Sequence, residues 1–193
     1  GANGTLDLNG VTQTIGSLSG AAGSSVLLGG STLTTGGDGT STTFAGGISG
    51  AGLVVKTGAG TWLVDGSISA PVNVRAGTLG GTGAIAGAVD VAGLAHLSPG
   101  DSISVLTTGP LTLEAESFFD VELLPTACDR VDVTGEVSLA DAILQLSISG
   151  DFASYGGTEY TLINNDGYGD SVVGHFAGLL EGSVIYSSQG QFV

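Results

Sequence analysis

Short apolar bursts recur along this chain at nearly constant intervals, and none is long enough to make a helix. Between Leu53 and Gly83 the sequence LVVKTGAGTWLVDGSISAPVNVRAGTLGGTG holds three of them, Leu53 to Val55, Trp62 to Val64 and Val72 to Val74. Turns built on Gly58, Gly60, Gly66 and Gly77 separate them. Set in register along the chain, Leu53, Val72, Val91, Leu111 and Val131 follow one another at steps of 19, 19, 20 and 20 residues. Such a burst cannot bury its apolar face alone and must stack on the next one, which is the logic of a solenoid. The expected fold is all-β, a right-handed parallel β-helix with about 20 residues per rung and strands about 4.8 Å apart. Nine or ten such rungs fit the chain, a rod of about 45 Å. A propeller needs a blade of about 40 residues and a leucine-rich repeat needs its Asn/Cys ladder; neither pattern is present.

Composition agrees with short strands and many corners. The 193 residues include 36 Gly and no Met, and 41% are apolar. The opening segment, Gly4 to Gly20, alternates at Leu6 and Leu8, turns at Asn9-Gly10 and resumes at Ile15 and Leu18. Residues 1–110 hold 26 of the glycines and read as Gly-rich rungs, whereas residues 111–193 hold 10 and carry longer strands. Leu111 to Leu124 and Ile143 to Ile148 are the longest of these, with Leu111, Leu113, Ala115, Val121 and Leu123 expected on one side. This second part is expected to continue the solenoid as a wider, acidic capping section, because an open solenoid end exposes unpaired strand edges.

Charge is sparse and one-sided, with 18 acidic residues against Lys56, Arg75 and Arg130, for a net charge of -15. Fourteen of the acids lie from Asp101 onward. A surface of this sign repels phosphate backbones, so nucleic acid is not an expected partner. No apolar run approaches the 20 or so residues of a membrane-spanning helix, so this segment is not expected to insert in a membrane. Gly1 carries neither an initiator Met nor a basic leader, which suits a processed chain or an internal fragment.

KTGAGTWLVDG (Lys56 to Gly66) followed by VNVRAGTLGGTG (Val72 to Gly83) resembles the autotransporter-associated β-strand repeat, also called the passenger-associated transport repeat. The opening GTLDLNGVTQTIGSLSG is similar to the segment that precedes this repeat in such proteins. Ser98 to Leu123, Asp129 to Leu139 and Tyr160 to Gly182 resemble the distal passenger region of large bacterial surface or secreted proteins. The resemblance implies an extracellular or cell-surface location and a β-helical structural protein used as a stalk, for adhesion, autoaggregation or fibre formation. It names no ligand. Relatives commonly continue into a further Gly/Asp-rich strand, and no membrane translocator barrel follows in this sequence; either the chain was cut or another subunit completes the fold.

Several residues stand out against this scaffold. Asn164, Asp166 and Asp170 in the NNDGYGD stretch form an oxygen-rich turn, either simply solvated or able to hold Ca²⁺. No other cofactor is expected. Asp129 and Asp132 flank Arg130, a pattern of a local ion pair on an exposed face rather than a metal pair. Cys128, the sole cysteine, is an incidental thiol or the site of an intersubunit disulfide. The strand ending at Phe192 and Val193 offers an edge for self-association with other copies. Trp62 is expected in the core, with a sugar platform as the alternative; His96 and His175 are expected to be structural. No paired-carboxylate or nucleophile signature is present, so the expectation is a non-enzymatic module that joins its own copies. A monomeric adhesin fragment binding glycans or matrix is the alternative, and a polysaccharide-active enzyme a more distant one.

Overall fold

The computed structural model describes residues 3–100, 102–152, 158–167 and 169–180, and the backbone of 185–187 and 190–192. Its regular elements among these are all strands. They fall into layers, each visiting three sheets A, B and C in turn. The first layer holds β1 (Thr5–Asp7) and β2 (Gln13–Thr14), and Gly20 bridges Phe44 where its third strand would be. The second is β3 (Ser25–Gly29), β4 (Thr32–Thr35) and β5 (Thr42–Phe44), and the third β6 (Gly47–Gly50), β7 (Leu53–Lys56) and β8 (Thr61–Val64). Then come β9 (Ser67–Ile68), β10 (Val72–Val74) and β11 (Thr78–Gly81), followed by β12 (Ala84–Ile85), β13 (Val89–Val91) and β14 (His96–Pro99). The sixth layer is β15 (Val105–Thr108), β16 (Leu111–Leu113) and the long β17 (Phe118–Leu124), with β18 (Ala127–Cys128) folded back on it. The seventh is β19 (Arg130–Val133), β20 (Val137–Ser138) and β21 (Ile143–Ile148), and the eighth β22 (Ile163–Asn165) and β23 (Val172–Val173). Outside the stack, β24 (Ile185–Ser187) and β25 (Gly190–Phe192) pair with each other.

The chain is therefore a parallel β-solenoid of about seven turns with roughly 21 residues per turn. Seven steps of about 4.8 Å give a stack about 34 Å long. This is shorter than the nine or ten rungs expected from length alone. The physical reason is where the chain spends its residues: 149–162 separate β21 from β22, and β24 and β25 pair with one another.

In the strands between the two ends of the stack, such as β4, β7, β10, β13 and β19, alternation buries every second side chain. In sheet B the inward column runs Leu33, Val54, Val72, Val89, Leu111 and Val137, and Val172 continues its register in the last layer with 54% of its surface exposed. From Leu33 to Val137 the steps are 21, 18, 17, 22 and 26 residues, a mean of about 21, so the mean interval matches the sequence reading while the register does not. Leu53 faces outward beside Thr32, Val91 stacks on Val74, and Val131 lies in sheet A between Leu106 and Ile163. Corners of unequal length absorb the difference. Leu111 to Leu124 likewise divides at a corner, with Leu111 and Leu113 buried in sheet B, Val121 and Leu123 buried in sheet C, and Ala115 exposed between them.

Sheet C lengthens in the sixth and seventh layers. β17 and β21 pair over six positions, from Phe118 with Ile143 to Leu123 with Ile148. Phe119 stacks on Phe176 with ring centroids 5.9 Å apart, and Phe152 is buried in the same cluster.

Candidate functional site

Two places concentrate polar chemistry: the corner after β7 and the outer face of sheet C. At the first, Lys56 points inward with only 1% of its surface exposed. Its Nζ donates to three backbone carbonyls, Thr57 O at 2.8 Å, Gly58 O at 2.9 Å and Ala76 O at 3.0 Å. Carbonyls left over where the chain bends would otherwise be costly to bury, and a tetrahedral ammonium satisfies three at once. Burial pushes the Lys56 pKa below its ordinary value. The corner is narrow because Gly58, at φ +67, sits directly on Gly36, where a Cβ would run into Gly36 O.

On the outer face of sheet C, His96 stacks on Phe118 with ring centroids 4.5 Å apart and planes 11° from parallel. His96 Nδ1 lies 2.7 Å from Asp120 Oδ2. Beside them a shallow groove of about 510 Å³ is lined by Ser98, Asp120, Glu122, Gln145 and Ser147. Asp120 Oδ1 is buried there and has no hydrogen-bond partner among the described residues. The pairing of β14 with β17 stops after Phe118 and Phe119. Further along β17 the Asp129 carboxylate takes over, accepting from Glu122 N–H at 2.8 Å and Ser104 N–H at 2.9 Å. Asp129 is 2% exposed, and that burial raises its pKa despite the two N–H donors. The arrangement can accept hydrogen bonds and attract cations. Among the described residues no hydroxyl is hydrogen-bonded to His96.

The residues singled out in the sequence are scattered by the fold. Asn164 Nδ2 donates to Asp132 Oδ1 at 3.1 Å, and Asp132 also binds Arg130 in a two-pronged pair at 2.7 and 3.1 Å. Asn164 is thus committed to the Arg130 pair. Asp166 and Glu136 lie near Asp170 and raise its pKa, burial being the first cause. Among the described residues no group of three or more His, Cys, Asp or Glu side chains converges as a metal site would require. Cys128 is half-buried, its Sγ donating to Thr161 O at 3.6 Å, and burial raises its pKa. Phe192 belongs to β25, but its side chain and all of Val193 lie outside the described residues. Trp62 is 2% exposed and packs in the core, so it offers no ring face to a sugar. His175 Nδ1 sits 3.4 Å from Asp141 Oδ1. Sequence reasoning missed Asp120 and put Asp129 on an exposed face beside Arg130, where the fold buries it on two backbone N–H groups and leaves Arg130 to Asp132, because nothing in their spacing announces which strand edge they will reach. The fold and these sites define a β-solenoid. No protein family, curated protein or solved structure matches the chain.

Proposed function

We propose that this chain is a structural module of a bacterial surface or secreted protein, an extracellular solenoid that serves as a rigid stalk and joins its own copies into fibres. The observation that carries this reading is the inward column of sheet B, continuous from Leu33 to Val137. A column of this kind resists bending because every layer is packed and hydrogen-bonded to both neighbours. The resemblance of Lys56 to Gly83 to a passenger repeat supports the extracellular setting. Electron microscopy of the purified chain over a range of concentrations tests the fibre reading: filaments or ordered bundles are expected, and dispersed single particles at the highest concentration refute it.

A second reading, a glycan-binding adhesin fragment, draws on the polar groove of Ser98, Asp120, Glu122, Gln145 and Ser147. Glycan-array binding abolished by Asp120→Ala or Gln145→Ala favours it over a purely mechanical role.

A further inference from the structure

The strand that holds the central turn is ambiguous in its own apolar pattern. In β7, Leu53, Val54 and Val55 are all apolar, so either Val54 alone or Leu53 with Val55 can face the core. Its neighbours have no such freedom. In β4 only Leu33 is apolar, with Thr32 and Thr34 outward, and in β10 Val72 and Val74 face inward around Asn73. A one-residue slip of β7 would place Leu53 and Val55 inside, between those columns, and carry Lys56 out to water. By apolar burial alone the slipped strand is the better one, and it also frees a charge from the interior.

The observed strand nevertheless has Val54 on Leu33 and Val72, and Lys56 on Thr35 and Val74. What it gains is the set of bonds from Lys56 Nζ to Thr57 O, Gly58 O and Ala76 O, the last reaching into the following layer. A slip breaks all three and leaves the carbonyls buried without a donor. Glycine packing at Gly58 on Gly36 works in the same direction from the corner. We propose that Lys56 is the register lock of the solenoid, the side chain that decides which face of β7 enters the core. Buried polar groups are best attested in such a role, where they reject an alternative alignment.

Nuclear magnetic resonance on the whole chain tests this with three variants. Lys56→Met keeps the stem and removes the ammonium. It is expected to show a second set of amide signals for β4, β7 and β10, at about a tenth or more of the total, with Leu53 and Val55 in contact with Leu33 and Val72. Adding Val55→Thr makes the slipped strand bury a hydroxyl while leaving the native strand's outward face polar, so the double variant returns to one set of signals with native contacts. Val55→Thr alone is unchanged. If Lys56→Met fails to fold, the double variant decides, because recovered folding with Val54 on Val72 supports the lock. A single native set of signals in Lys56→Met overturns it. So does a double variant that behaves no better than Lys56→Met, since the loss then comes from unsatisfied carbonyls alone.

Discussion

Leu94 occupies a corner at φ +67 with 70% of its surface exposed, so it bears left-handed strain and returns little burial. A left-handed conformation costs a non-glycine residue about 1–2 kcal/mol. Leu94→Asn, which keeps a side chain suited to that region, is expected to raise stability by about 1 kcal/mol in urea unfolding. Asp129 is the opposite case. Its two oxygens serve two backbone N–H groups that β14 does not reach. Asp129→Asn turns one acceptor into a donor facing an N–H, and a loss of about 1–3 kcal/mol in the same measurement is the expected outcome. Neither role was legible beforehand. Asp129 looked like part of a surface ion pair, because a one-dimensional pattern records polarity but not which backbone groups the fold leaves unpaired.

At the level of elements, the long pair β17 and β21 is the most extensive contact in the stack, and Phe119 sits at its root against Phe176 and the core. Phe119→Ala is expected to cost about 3–5 kcal/mol, since the void lies in a well-packed layer. A smaller loss in denaturant unfolding means the layer collapses around the void. The existence, type and mean spacing of the strands were readable from glycine corners and apolar bursts. The alignment of one strand on the next was not. Leu53 and Val72 differ from the true pair, Val54 and Val72, by a single residue, and three consecutive apolar side chains give the reader no face to choose. Corners defeat the arithmetic as well, for Val131 stands one period beyond Leu111 yet belongs to another sheet. Of the acidic turn at Asn164, Asp166 and Asp170, Asn164 lies in β22 and reaches Asp132, while Asp166 and Asp170 stay close to one another beyond the strand.

For the whole molecule, the sign of the charge dominates the response to pH. Burial raises the pKa values of Asp90 and Asp129 above the ordinary carboxylate value of 3.8. Between 3.8 and those raised values the folded chain binds more protons than the unfolded one, so stability grows as pH falls through that window. Protonation also relieves the repulsion of a net charge of -15. Asp132 has the reverse sign: Arg130 and Asn164 depress its pKa, and its contribution, present above 3.8, is lost as pH falls through the folded value. Thermal melts from pH 8 to pH 3 are expected to rise toward about pH 4 and then fall. A steady decline from pH 7 downward contradicts this balance.

The bond from Lys56 to Ala76 has a mechanical consequence for a molecule pulled along its axis. Layers that touch only their neighbours come apart one at a time, and the weakest junction gives way first. Sheets A and B begin and end in strands of two or three residues, β1 and β2 at one extreme and β22 and β23 at the other. The third and fourth layers are riveted by an ammonium across their corner. Under tension such a rod frays from its tips while its middle stays whole, and a tether attached near the centre would outlast one attached at either extremity.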